Sequence, residues 1–137
     1  MQAAELKKVL VVDDDEDVVA YLSTWLSDQG FAVDTAKDGN EALAKIQAGK
    51  PDLITLDIVM PEKTGVRLYR EIRKNPEYAH IPVIIITGLQ AEFESFISHR
   101  RTAPPPDGYL AKPFSQAELL AMVQKVLNIP QTQAVVS

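Results

Sequence analysis

The sequence contains no cysteine, which excludes disulfides and thiolate metal sites. A reducing compartment is compatible with that absence but not required by it. Clustered basic residues are lacking too, and the formal net charge is −5. Contact with nucleic acid needs a Lys/Arg face that displaces counterions from phosphate, so direct DNA or RNA binding is disfavoured. No apolar run approaches the ~20 residues that span a bilayer as a helix. Met1 to Lys8 has no apolar stretch and carries Glu5, Lys7 and Lys8, which suits neither a signal peptide nor a transit peptide. The expectation is a cytoplasmic protein without membrane contact. Internal repeats are absent, and Pro104-Pro105-Pro106 is the only low-complexity stretch.

What is present is an ordinary globular composition. Apolar residues make up 46% of 137 residues, enough to bury one full core without staples and too few residues for a second domain of ordinary size. Two kinds of segment alternate. Val9-Leu10-Val11-Val12, Leu53-Ile54-Thr55-Leu56 and Val83-Ile84-Ile85-Ile86 are apolar almost throughout, as strands covered on both faces must be. Phe31 to Ala36 and Tyr109 to Ala111 are weaker runs. Phe31 and Val33 alternate with Ala32 and Asp34, which fits a less buried edge strand.

Between the runs the apolar residues take helical spacing. Val18, Leu22 and Leu26 mark a first helix; Leu43 and Ile46 mark a second, with Gly49 as its stop. Leu68 and Ile72 mark a third that Pro76 ends. Phe93, Phe96 and Ile97 mark a fourth. Ser115 and Glu118 form a capping-box pattern ahead of Leu119, Val123, Val126 and Leu127. Strand and helix alternate five times, which implies a doubly wound parallel α/β sheet with right-handed crossovers and helices on both faces. The domain is expected over residues 6–128, with a loose tail over 129–137.

Polar residues interrupt the apolar runs at one kind of position. Asp13 and Asp14 stand at the carboxyl end of the first strand, Asp57 ends the third, Thr87 the fourth and Lys112 the fifth. Ligands of open parallel sheets bind at that edge, in the crevice where strand order reverses. Three carboxylates gathered there repel one another, at roughly 3 kcal/mol per pair for ~5 Å and an effective dielectric near 20. Proton uptake or a cation must relieve this. An all-oxygen donor set suits Mg²⁺, Mn²⁺ or Ca²⁺, and Mg²⁺ also coordinates phosphate oxygens. A lysine ammonium and a threonine hydroxyl opposite would complete a pocket for a tetrahedral anion, and a carboxylate inside it could attack phosphorus. Taken singly, each residue has a plainer explanation. Acids after a strand often cap the next helix, the role expected of Asp17, with Asp15 and Glu16 as solvated first-turn charges. It is the shared edge that makes the plain explanations improbable together.

Val11-Val12-Asp13-Asp14, Asp57-Ile58-Val59-Met60-Pro61 with Gly65, Ile86-Thr87-Gly88, and Tyr109-Leu110-Ala111-Lys112-Pro113-Phe114 resemble the successive signatures of the response-regulator receiver family, whose simplest member is the chemotaxis regulator. The resemblance runs from about Lys8 to about Leu127. It implies a flavodoxin-like sheet of strand order 2-1-3-4-5 with five flanking helices. It implies Asp57 as phosphoacceptor, and Mg²⁺ (Mn²⁺ as the alternative) on Asp14, Asp57 and the backbone carbonyl of Val59, with Asp13 acting through water. Lys112 would contact the phosphoryl group, Thr87 would swing toward it, and Tyr109 would rotate inward in concert. The Lys112-Pro113 bond is expected to be cis, a state X-Pro bonds reach cheaply. The implied donor is a phosphohistidine on a sensor histidine kinase or histidine phosphotransfer protein. An unidentified downstream protein would bind the surface of the fourth helix, fifth strand and fifth helix, and a homodimer on phosphorylation is left open. Such a chain catalyses its own phosphorylation and slow dephosphorylation and is not a metabolic enzyme.

Some residues depart from the family pattern. Arg100 to Gly108 carries three prolines before the fifth strand, where a small-residue turn is usual; prolines favour extended geometry. The segment is either a partner contact or a solvated loop. Val59 and Leu89 stand where some members have polar residues. Three rival readings remain. Asp15-Glu16-Asp17-Val18-Val19 loosely resembles the catalytic motif of haloacid-dehalogenase-type phosphatases, but that reading leaves Asp57 unexplained. Asp13, Asp15 and Asp17 alternate like an EF-hand, yet Val18 and Thr24 stand where Gly and Glu are needed. The last is a degenerate receiver that only binds proteins, although every expected pocket residue is present.

Overall fold

The computed structural model describes residues 7–58, 65–88 and 106–128. Five strands lie within them: β1 (Lys8–Val12), β2 (Ala32–Ala36), β3 (Leu53–Leu56), β4 (Val83–Thr87) and β5 (Gly108–Ala111). They form one parallel sheet of order β2-β1-β3-β4-β5, as expected. The described helices are α1 (Glu16–Asp28), α2 (Gly39–Ala48), α3 (Gly65–Lys74) and α4 (Gln116–Leu127). The helix expected around Phe93, Phe96 and Ile97, the segment Arg100 to Pro105, Leu89 and the tail over 129–137 fall outside the described residues.

Successive side chains of a strand point to opposite faces, and this sorts the core into two layers. Leu10, Val12, Ile54, Leu56, Val83 and Ile85 pack with α2 and α3 residues such as Ile46, Leu68, Tyr69 and Ile72. Val9, Val11, Leu53, Ile84 and Ile86 pack instead with Leu22, Trp25 and Leu26 of α1 and with Leu119 and Val123 of α4. The central strands thus need apolar residues at nearly every position, with the buried Thr55 of β3 as an exception, which is why they read as almost unbroken runs. β2, at one edge, is only half-buried along most of its length. Its Asp34 pairs with Lys45 at 2.9 Å. Partial burial of Asp34 opposes its ionisation, but the Lys45 and Thr35 hydrogen bonds outweigh it and hold the carboxyl below the usual aspartate range.

Helix ends follow local chemistry, with two departures from expectation. Ser115 and Glu118 form the full capping box, the Ser115 hydroxyl accepting from the Glu118 amide at 3.0 Å and the Glu118 carboxylate accepting from the Ser115 amide at 2.8 Å. At α1, however, the cap is Asp15, not Asp17. The Asp15 carboxylate accepts from the amides of Asp17 (2.9 Å) and Val18 (3.4 Å), while Glu16 and Asp17 occupy the first turn. Five consecutive acids offer no hydropathy contrast from which to read the first helical residue. Gly49 does end α2, but in extended backbone. The left-handed glycine is Gly30, with φ 96°, in the turn that leaves α1.

At the amino ends of β4 and β5 a buried guanidinium ties three segments together. Arg73 of α3 donates to the carbonyls of Ala79 (3.1 Å) and Ile81 (2.7 Å), to the Tyr69 hydroxyl (3.1 Å) and to Asp107 (2.7 Å). It also lies 4.9 Å from the Tyr69 ring centroid. Asp107 accepts in addition from the Val83 amide at 2.9 Å. Burial raises the Tyr69 hydroxyl above its ordinary pKa, opposed by Arg73.

Two substitutions separate a helix cap from this half-exposed ion pair. Ser115→Ala should lower the stability by about 1 kcal/mol. Asp107→Ala takes the carboxylate from the Arg73 side chain, 5% exposed, and the acceptor from the Val83 amide; because Asp107 is itself 45% exposed, the loss should be about 2 kcal/mol. Urea unfolding followed by circular dichroism reads both; equal losses would refute the ranking.

Candidate functional site

The sheet brings the expected acids to one place because β1 lies between β2 and β3, the point at which strand order reverses. Asp13 and Asp14 leave the carboxyl end of β1, and Asp57 leaves that of the adjacent β3. Backbone bonds continue the ladder one step past the strands: the Asp57 amide donates to Val12 at 3.0 Å, and the Asp13 amide to Ala36 at 3.1 Å. The acids are therefore fixed at their Cα atoms before their side chains are considered. One carboxylate oxygen from each of Asp13, Asp14 and Asp57 lies within 4.8 Å of the others. Asp13 and Asp57 are buried, at 3% and 7% exposure, whereas Asp14 faces solvent.

Lys112 reaches this cluster from the end of β5, two strands from β3. Neighbouring strands stand about 4.8 Å apart, so the two-strand span of roughly 10 Å is closed by the lysine and aspartate side chains reaching toward each other. Its Nζ donates to Asp13 Oδ2 at 3.1 Å and to Asp57 Oδ2 at 3.3 Å. Burial alone would pull the ammonium pKa down, but Asp13 and Asp57 outweigh burial and hold it above the ordinary lysine value. The ammonium is thus firmly charged, and one cation bridges two buried carboxylates. Asp13 is engaged on both oxygens, since Oδ1 accepts from the Asp15 amide at 2.9 Å. The Lys112-Pro113 peptide is cis, as expected.

The other expected residues take these places. Thr87 is the last residue of β4, next to β3 in the sheet; its side chain is not among those described. Tyr109 lies on β5, half-buried against the layer that holds α2 and α3. Val59 falls outside the described residues. Asp15 caps α1, which argues against its use as the nucleophile of a phosphatase. Sequence reasoning did not anticipate an aromatic pair beside Lys112: the Tyr21 and Phe114 rings lie 6.3 Å apart at 51°. Tyr21 is 42% exposed, so helical spacing gave no signal for it. The two rings wall an open hollow of about 310 Å³ reaching Lys112, and a second of about 330 Å³ opens beside Asp13 and Asp14. The cluster can therefore be approached from solvent.

With a charged lysine over a hard-oxygen acid cluster, the comparisons with known proteins agree. The model of the response regulator receiver domain family matches residues 9–124. The alkaline phosphatase synthesis transcriptional regulatory protein PhoP of Bacillus subtilis is 38% identical over 122 residues, which cover 89% of this chain and 49% of that protein. The phosphate regulon transcriptional regulatory protein PhoB of Rhizobium meliloti is 38% identical over 123 residues, covering 90% and 53%. The chain thus spans about half the length of these curated relatives. Among solved structures, the Vibrio cholerae chemotaxis protein CheY4 superposes with a TM-score of 0.77 at 34% identity, over 89% of this chain and 99% of that one. The strand order, the four motifs at their strand ends and the family match together place this chain in the response-regulator receiver family of two-component systems.

Proposed function

We propose that this chain is the phosphoacceptor of a two-component phosphorelay and takes a phosphoryl group onto Asp57 in a Mg²⁺-dependent reaction. The observation that carries this reading is the Lys112 ammonium, 3.1 Å from Asp13 and 3.3 Å from Asp57, above three carboxylates that share one small volume. The donor set fits the ion. Three carboxylates with no nitrogen or sulfur suit a hard divalent cation such as Mg²⁺ or Mn²⁺, and the solvent-facing Asp14 leaves room for the waters that Mg²⁺ retains. Asp14 and Asp57 would hold it directly with the Val59 carbonyl. Asp13, with both oxygens engaged, would act through water. When bound, the ion neutralises charge on the carboxylates and on the phosphoryl oxygens.

Asp57 is the nucleophile in this reading. One carboxylate oxygen attacks the phosphorus of a phosphohistidine on a sensor histidine kinase or histidine phosphotransfer protein. The new O–P bond forms as the N–P bond breaks, and the electron pair stays on the imidazole nitrogen, which takes up a proton. Lys112 follows the transferred charge: its ammonium exchanges the Asp57 carboxylate for a phosphoryl oxygen. Catalysis rests on positioning and fixed charge. The new phosphoryl group then draws in Thr87, Tyr109 follows, and the surface of β5, α4 and the helix expected around Phe96 changes shape for a downstream protein or a second copy of the chain. Turnover is limited to slow hydrolysis of the chain's own acyl phosphate, so no metabolic substrate is involved, and a cytoplasmic setting suits the donor.

Acetyl phosphate with Mg²⁺ should add one phosphoryl group by intact mass, and Asp57→Asn should abolish it; undiminished labelling of the variant would move the acceptor elsewhere. Lys112→Ala should leave Mg²⁺ affinity nearly intact but uncouple phosphorylation from the movement of Tyr109. Tyrosine NMR signals recorded before and after labelling test this, and a wild-type shift in the variant would count against the role of Lys112.

A further inference from the structure

Gly65 opens α3 and is buried. A Cβ added there would run into the carbonyl oxygen of Asp57 and the Cα of Ile58, and would lie 2.9 Å from the Asp57 carbonyl carbon. All three are backbone atoms, so no flexible side chain can swing aside. The requirement is for space. Nor can the two bodies move apart freely. Helix α3 is anchored by Leu68, Tyr69 and Ile72, all at 0% exposure. Asp57 is tied by its amide to Val12 and follows a strand paired on both sides, with β1 and β4. The first residue of α3 therefore sits directly on the peptide that follows the proposed phosphoacceptor.

We infer that Gly65 is a positioning residue for Asp57: its missing side chain lets α3 seat against the Asp57–Ile58 peptide and so aims the carboxylate at Lys112 and at the incoming phosphorus. This rests on the phosphoacceptor reading of Asp57. A methyl group at position 65 would force that peptide to shift or rotate. The carboxylate would turn with it, away from the geometry in which Oδ2 stands 3.3 Å from Lys112. Misplacing a reacting group by about 1 Å can cost about 100-fold in rate.

Gly108 supplies the control. A Cβ there would meet Met122 Sδ at 2.6 Å, Val126 Cγ2 at 3.2 Å and Ile84 Cγ1 at 3.3 Å, crowding the α4 packing at the opposite end of β5 from Lys112. Gly65→Ala and Gly108→Ala should both lower stability, but only the first should slow the chemistry. The experiment measures labelling by acetyl phosphate at saturating Mg²⁺ and saturating donor. Rates are read by intact mass and divided by the folded fraction from circular dichroism. Gly65→Ala should label about 100-fold more slowly per folded molecule, and Gly108→Ala at the wild-type rate. Should Gly65→Ala be unfolded in buffer, trimethylamine N-oxide, which favours the compact state, restores folding, and the rate per folded molecule is read there. A wild-type rate for folded Gly65→Ala, or an equal loss in Gly108→Ala, overturns the inference. Failure of the wild-type chain to label at Asp57 overturns the phosphoacceptor reading itself.

Discussion

Repulsion among Asp13, Asp14 and Asp57 is the constraint around which this molecule is arranged. Two of the three are almost withdrawn from water, where like charges interact far more strongly than in bulk solvent. Such a cluster persists only if the backbone holds it together and a cation answers it. The sheet supplies the first condition, by running its ladder one residue beyond β1 and β3. Lys112 supplies part of the second, one ammonium between two carboxylates. One ammonium does not balance three carboxylates, and the cluster opens to solvent at Asp14.

The two-layered core serves that arrangement. Strands buried on both faces cannot shift register by one residue without exchanging every side chain between layers. The β1, β3 and β4 register is therefore strongly specified, and with it the positions of Asp13, Asp57 and the end of β4. At the other end of the strands, Arg73 and Asp107 bind α3 to the starts of β4 and β5. Asp107 directly precedes β5 and Lys112 directly follows it, so the amino-end tie and the carboxyl-end site are joined by one short strand. The packing of α3 also reaches the site through Gly65, which lies against the Asp57 peptide. The core packing and the acid cluster thus share elements.

Much of this was legible in the residues. The almost unbroken apolar runs located β1, β3 and β4, and the Ser115–Glu118 box marked the start of α4 correctly. The clustering of Asp13, Asp14, Asp57 and Lys112 was expected from their places at strand ends. The α1 cap was not: Asp15 holds it, because a run of five acids hides the helix start. Arg73 gave no signal either. A basic residue in the last turn of a helix is ordinary on a solvated face, and only the folded chain shows it buried against Tyr69, Ile81 and Asp107.

The sequence by itself determined the alternation of strands and helices, the faces of the central strands and the identities of the acids and the lysine that meet. These depend on periodicity and residue type, which are local properties. Tertiary structure alone decided which oxygen lies near which nitrogen, that Asp13 has both of its oxygens engaged, and that Gly65 must be bare where it touches Asp57. The reason is physical: such contacts join segments separated by as many as 99 residues. Their geometry is set by how the sheet twists and how the helices settle on it, and no local pattern records that.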